Sequence, residues 1–479
     1  MYDVAIIGAG VIGAMTARTL AKYNLKICIL EKENDVAMGA TKANSAIIHA
    51  GFDANEGSLK AQLNVKGSQM MPQICRELGV KYINNGSLVL GFDDNDKKTI
   101  EQLFIRGKNN GVENLEIIDK LRLKTIEPNI SDNAICALYA PTGAIICPYE
   151  LTIAAIGNAM DNGADLKCNF QVCDIKHTDN YYEIASQDEA ITARFIINCA
   201  GIYSDKIAKL VGDDSFKVHA RKGEYILLDK ACGSIISHTI FRTPSKMGKG
   251  ILVSPTVDGN MILGPTSVDI DDKEDKDCTQ QGLSDIIKKS QEYVNYAPIS
   301  KSITSFCGLR SVGSTGDFII NSPMLAFINA AGIESPGLSA SPAIAEYIVD
   351  ILKAQGLQLN KKENFNPIRA SMHAFRDASI KEKNQIIKNN SSYGKIICRC
   401  EGITEGEILD AIHRNPKARD LDAIKRRTRA QMGRCQGGFC MPLITEILAR
   451  ELGIPYHKVT KFGGKSVVNI TKTKGYNND

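Results

Sequence analysis

An α/β fold with a small helical unit near its end is what this sequence predicts, and three observations carry the prediction. An apolar run, Val4-Ala5-Ile6-Ile7, leads into Gly8-Ala9-Gly10-Val11-Ile12-Gly13 and then into a helical pattern. Strand-like runs at 87–92, 225–228, 251–253 and 261–263 alternate with turns such as Asp258-Gly259-Asn260 through the middle of the chain. Near the end, Cys398, Cys400, Cys435 and Cys440 read C-x-C, 34 residues, then C-x4-C.

The first element is the most specific. A short apolar run fits a strand buried in a parallel sheet. The helix expected from Val11 to Lys22 turns Ala14, Ala17, Leu20 and Ala21 inward. In this setting Gly8 permits the tight turn, Gly10 lets the backbone approach a pyrophosphate, and Gly13 allows close helix–strand packing. The N–H groups around Val11 and Ile12 and the positive end of the helix dipole face the phosphates. A second strand at 26–30 ends at Glu31 and Lys32, with Glu31 18 residues after Gly13. An acid there accepts hydrogen bonds from ribose hydroxyls and disfavours a 2′-phosphate, so FAD or NAD fits better than NADP.

Later pieces favour the flavin. Met38 to Ser45, with Thr41, Asn44 and Ser45, is small and polar and suits a ribityl chain. Phe195 to Gly201 is a strand ending in Ala200 and Gly201. Glu334-Ser335-Pro336-Gly337-Leu338-Ser339 leads into a helical pattern from Ala343 to Leu352, placing a helix N-terminus where a reduced flavin's negative charge would sit. These are three distant parts of one Rossmann-like site.

Composition sets outer bounds. With 479 residues and 43% apolar content, the chain can bury more than one core. A net charge of +4 on 52.2 kDa gives no argument for nucleic acid. No apolar run approaches 18 residues, so no transmembrane segment is expected. A strand beginning at Tyr2 leaves no room for a signal peptide, so the expected location is cytoplasmic, with any membrane contact at the inner face through partners. Fourteen cysteines there should be reduced thiols or metal ligands.

The nucleotide segments resemble the D-amino-acid-oxidase-like flavoprotein superfamily over roughly residues 1–354. Within it, Lys42-Ala43-Asn44-Ser45-Ala46-Ile47-Ile48-His49-Ala50-Gly51 looks like the glycerol-3-phosphate oxidase and dehydrogenase branch. Arg221-Lys222-Gly223-Glu224-Tyr225, Gly248 to Pro255, Gly264-Pro265-Thr266, Gly308-Leu309-Arg310 and Ser335-Pro336-Gly337-Leu338 match it too. L-2-hydroxyglutarate oxidases share a similar His-x-Gly stretch. The resemblance implies FAD as cofactor, Gly308 among its contacts, and a phosphorylated polyol as substrate.

A mixed sheet inserted at roughly 75–165 and 205–305 would carry the substrate groups on its flavin-facing side. His49 lies in an apolar stretch. Spacing alone leaves it equally a general base for an alcohol or a core histidine bonded to a carbonyl, and the resemblance favours the base. Lys249 and Arg310 are the candidate anion clamp, with Arg221 a weaker third. Ser335, at a helix start, reads as a substrate or flavin contact or as an N-cap.

Residues 355–394 turn rich in Asn, Lys, Gln and Ser and read as a linker with some helical content, followed by a unit at 395–455 and a tail at 456–479. Thr404-Glu405-Gly406-Glu407 is a capping box opening a helix through Ile412. A second helix is expected from Asp422 to Ala430, and Pro442 suits the start of a third ending near Leu452. Both cysteine pairs then fall in turns at helix ends. Four thiolates hold zinc or a 2Fe–2S cluster, and the unequal C-x-C and C-x4-C spacing disfavours zinc. Arg399, Lys425, Arg426, Arg427, Arg429 and Arg434 would offset the cluster's negative charge. The unit resembles the bacterioferritin-associated-ferredoxin type of 2Fe–2S domain, also found at the C-terminus of the anaerobic glycerol-3-phosphate dehydrogenase catalytic subunit.

Together these features predict an FAD-binding domain with an inserted mixed-sheet substrate domain and a small helical iron–sulfur domain. The expected activity is oxidation of sn-glycerol 3-phosphate to dihydroxyacetone phosphate, with electrons leaving through the cluster to a protein subunit or quinone system. The alternatives are oxidation of a 2-hydroxy acid or an amino acid, or an electron-transfer subunit without substrate chemistry.

Overall fold

Parallel pairing at the N-terminus sets the frame of the computed structural model, which describes residues 1–244 and 250–470. The Tyr2–Ile7 strand lies between Ile27–Leu30 and Ala190–Asn198, parallel to both. Every residue of Ile27–Leu30 is buried, as expected of a strand covered on both faces. Asp165–Lys167 extends one side, Phe327–Ala331 adds in parallel to Ala190–Asn198, and three antiparallel strands, Asp174–His177, Tyr182–Ala185 and Ile319–Met324, complete eight. The helices Val11–Leu20, Pro148–Asp161 and Gly337–Ala354 pack on this sheet, and their apolar faces form the largest core.

A second sheet of nine strands draws on residues 87–140 and 218–313 and mixes parallel and antiparallel pairs. Its long ladder pairs Val218–Leu228 with Ser302–Gly313, with Arg221 opposite Arg310. The runs expected at 87–92, 225–228, 251–253 and 261–263 all lie in this sheet. It stands against the C-terminal ends of the first sheet's strands, where open α/β sheets bind ligands.

The C-terminal unit has a two-stranded ribbon, Ile396–Cys398 with Ile403–Thr404, and three helices, Glu405–His413, Leu421–Thr428 and Met441–Leu452. Ile397, Ile408, Leu421, Ile424, Ile444 and Leu448 form its separate core. The capping box is formed as expected, with Glu407 N–H donating to Thr404 and the Glu407 carboxylate accepting from the Thr404 N–H at 2.9 Å. The segment read as a linker carries two short helices, Ala374–Asp377 and Ile380–Asn389, and is pinned at a few points. Leu357, Arg369 and His373 are buried, and Arg369 bonds Asp161 of the first domain at 2.5 Å and the Asn415 carbonyl of the C-terminal unit. Residues 471–479 of the tail lie outside the described residues.

Candidate functional site

The phosphate-binding turn forms for the reasons its sequence implies. Gly8 has φ +108, and a Cβ there would strike the Cys199 carbonyl. A Cβ on Gly13 would strike the Gly8 carbonyl oxygen. Gly10 differs: a Cβ would meet only Thr41 Oγ1 at 3.4 Å, so the protein itself leaves the space beside it open. The helix opens at Gly10 with no side-chain cap, although the Val11 N–H donates to Thr41 Oγ1 at 3.0 Å. Ile12, beside Val11, lines the cavity in front of it. Glu31 accepts the Ala9 N–H at 2.8 Å and the Glu33 N–H at 3.0 Å, and burial pushes its carboxyl above the usual range.

In front of this turn lies a cavity of about 530 Å³. Its walls bring together Gly8 to Ile12, Glu31 and Lys32, Met38 to Ile47, Ala200 and Gly201, Gly308, and Gly337 with Leu338. Gly308 is required there by close approach, since a side chain would collide with the Ala43 carbonyl. Lys42, on the same wall, is pushed down to about 8 by burial. An open glycine, a helix start without a side-chain cap, an acid at the ribose position and an elongated space suit a dinucleotide.

A second chamber of about 320 Å³ continues from the first, sharing Ser45, His49, Arg310 and Ser335. The His49 Nε2 stands 3.3 Å from Ser335 Oγ, and its backbone N–H donates to Ser339 Oγ at 2.7 Å. Arg310 donates from Nη2 to the Thr266 carbonyl at 2.9 Å and from Nη1 toward Ser267 Oγ at 3.4 Å. Arg221 reaches this chamber too, but its guanidinium is held by Asp269 at 2.6 and 3.0 Å. Lys249 lies outside the described residues.

Of the two alternatives for Ser335 the N-cap falls, since Pro336 takes that position and the Ser335 hydroxyl turns to His49. Ser339 is fully buried behind the His49 backbone and does not line the cavity, because it sits on the helix face pressed against the Ile47–Ile48 strand. Sequence reasoning also missed the Tyr225 hydroxyl, 3.1 Å from Ser45 Oγ across the flavin-side wall. Lys60, 2.9 Å from Glu334 in the second chamber, was likewise unmarked. Nothing local distinguishes either residue from an ordinary strand tyrosine or helix lysine.

The four cysteines fall into two pairs. Cys400 Sγ and Cys435 Sγ are 3.5 Å apart, Cys435 half-buried and Cys400 exposed. Cys398 and Cys440 are buried and hydrogen-bonded to each other, which draws the Cys398 thiol down to about 6. These four thiolates would be the ligands of a 2Fe–2S cluster, which would supply one-electron transfer there. The bases expected to surround them are mostly engaged elsewhere. Arg426 and Arg427 pair with Asp35, Arg429 with Asp258 and Glu401, and Arg434 with Asp229. Arg399, between the first two cysteines, and Arg434 are exposed.

Cavity, turn and thiol pairs define a flavin-dependent oxidoreductase with an attached iron–sulfur unit. Residues 3–351 match the family model for FAD dependent oxidoreductases, and residues 396–450 match that for BFD-like 2Fe–2S binding domains. A glycerol 3-phosphate dehydrogenase of Caloramator mitchellensis is 50% identical over 99% of both chains. A glycerol 3-phosphate oxidase of Mycoplasma genitalium is 32% identical, with 97% of its length matched by 76% of this chain. The FAD-bound L-alpha-glycerophosphate oxidase of Mycoplasma pneumoniae superposes with a TM-score of 0.73 at 30% identity, over 77% of this chain and 98% of its own. The chain belongs to the FAD-dependent oxidoreductase family and ends in a 2Fe–2S binding domain. Its cofactors are FAD and a 2Fe–2S cluster.

Proposed function

We propose that this chain oxidises sn-glycerol 3-phosphate to dihydroxyacetone phosphate and passes the electrons on to an acceptor protein or quinone system. The observation that carries the reading is the second chamber, where a histidine and an arginine share one wall at the flavin end of the nucleotide cavity. When bound, FAD supplies a hydride acceptor and the 2Fe–2S cluster a one-electron relay. His49 takes the hydroxyl proton of the substrate at Nε2, the atom that the Ser335 hydroxyl holds in place. Its backbone, tied to the buried Ser339, fixes the ring against the cavity. Arg310, anchored by Thr266 and Ser267, offers its remaining N–H groups to the phosphate. Arg221 contributes less, since Asp269 already offsets its charge. Lys249 would complete the clamp, by the family resemblance alone.

The relative that shares this chain's full length is named a dehydrogenase, which supports electron export over direct use of oxygen. Ten thiols beside the four cluster cysteines suit a reducing, cytoplasmic setting, and no described helix is long and apolar enough to cross a membrane. Membrane contact at the inner face would come through the acceptor. The test is anaerobic mixing of the purified protein with glycerol 3-phosphate, L-2-hydroxyglutarate and amino acids while flavin absorbance is followed. Bleaching by glycerol 3-phosphate is the expected result. Bleaching by the hydroxy acid alone would assign the chamber to a carboxylate.

A further inference from the structure

Arg426 and Arg427 turn away from the thiols and meet Asp35, 391 and 392 residues earlier in the chain. Asp35 Oδ2 accepts from Arg426 Nη2 at 2.6 Å and from Arg427 Nη1 at 2.8 Å. Its Oδ1 accepts from Arg427 Nη2 at 2.7 Å and from the Val36 N–H at 2.8 Å. Arg427 spends further donors on the Pro416 and Ala423 carbonyls at 3.0 and 3.1 Å. All three side chains are buried. A carboxylate filled by four donors has one position available to it.

That position matters because of where Asp35 lies. The loop from Glu31 to Gly39 borders the nucleotide cavity at both ends, with Glu31 to Glu33 at one and Met38 and Gly39 at the other. It is bonded to the phosphate-binding turn twice, by Glu31 to the Ala9 N–H and by the Ala37 N–H to the Ala9 carbonyl at 3.0 Å. The neighbouring Asn34 bonds Asp420, the N-cap of the helix that carries both arginines. At its other end the same helix runs through Arg429, at φ +70, toward the second pair of cysteines. There Gly433 is pressed so closely on Cys400 that no side chain would fit. One short helix therefore joins the loop around the nucleotide to the loop around the cluster.

We propose that the Asp35–Arg426–Arg427 clamp makes the C-terminal unit part of the FAD site, so that FAD retention and ordering of the cysteine loops are thermodynamically coupled. It rests on FAD binding and not on the identity of the substrate. By reciprocity, whatever loosens the cysteine loops weakens FAD, and loss of FAD loosens them.

The experiment titrates FAD into deflavinated protein, reading Kd from flavin fluorescence with iron per chain measured alongside. Asp35→Asn, folded and iron-replete, should bind FAD at least about fivefold more weakly than the wild type. Stripping iron from the wild type with a chelator should weaken FAD by a similar factor, and should add little in Asp35→Asn. Arg450→Ala, which removes a half-exposed cation paired only within the C-terminal unit, should leave Kd unchanged. A folded Asp35→Asn protein within about twofold of wild-type FAD affinity overturns the proposal. Should Asp35→Asn fail to fold, hydrogen exchange decides on the wild type: residues 31–39 should exchange faster once iron is removed, and equal rates overturn it.

Discussion

Arg310→Ala separates phosphate recognition from flavin chemistry. Three of the five guanidinium N–H groups are committed, to Thr266 at 2.9 Å, Ser267 at 3.4 Å and the Tyr225 hydroxyl, which leaves two for a ligand. A phosphate taking both would gain hydrogen bonds to a charged group worth about 1.5–3 kcal/mol each. Arg310 is only half-buried, so water replaces part of the loss and the lower end applies. The expected deficit is about 3 kcal/mol, or roughly 150-fold in kcat/KM. Arg310→Lys, which keeps the charge without the fork, should recover part of it. The assay is anaerobic flavin reduction with glycerol 3-phosphate and with glycerol, after flavin content is matched. Glycerol lacks the phosphate, so its slow reaction should be unchanged. An equal loss with both compounds would refute the reasoning and place Arg310 at the flavin instead.

Four other outcomes follow from the same geometry. His49→Ala should slow flavin reduction by about 10²–10⁴-fold with FAD still bound, measured by stopped flow. Gly10→Ala should fold with a near-normal melting temperature but bind FAD weakly, whereas Gly13→Ala should lose stability outright because the Gly8 carbonyl occupies that space. Cys435→Ser should still bleach its flavin with substrate yet lose turnover with an external acceptor. Burial pushes Glu150 up to about 8 and His373 down to about 4. Glu150 therefore adds stability fully below its unfolded value of 4.5 and loses it as pH rises through about 8, while His373 loses its share only as pH falls from 6.5 through about 4. Between pH 6.5 and 8 the melting temperature should fall, and Glu150→Gln should flatten that slope.

The phosphate-binding turn was legible because its determinants are local: Gly8, Gly10 and Gly13 act on atoms that the strand–turn–helix itself places. The thiol frame was legible because spacing alone sorts four cysteines into two loops. Sequence leaves Ser335 open between a ligand contact and an N-cap, since a serine before a helix is ordinarily a cap and its partner His49 lies 286 residues away. The basic run at 425–434 misled for a similar reason. Sequence shows its charge but not the distant acids at 35, 229 and 258 that pair with it. For residues 355–394 composition shows a polar linker but not which of its residues, Arg369 and His373 among them, are buried.

The scattering of the nucleotide site also sets an order of assembly during synthesis. Its first wall is made at Gly8 and its last at Leu338, and the Phe327–Ala331 strand must pair with Ala190–Asn198 before that last wall is in place. At ribosomal speeds of about 5–20 residues per second, the turn waits roughly 15–65 seconds for the residues that close it. Until then the edge of Ala190–Asn198 that this strand pairs with stays open. Arg427 arrives later still, so a nascent chain gains its final hold on the nucleotide only once nearly the whole polypeptide has left the ribosome.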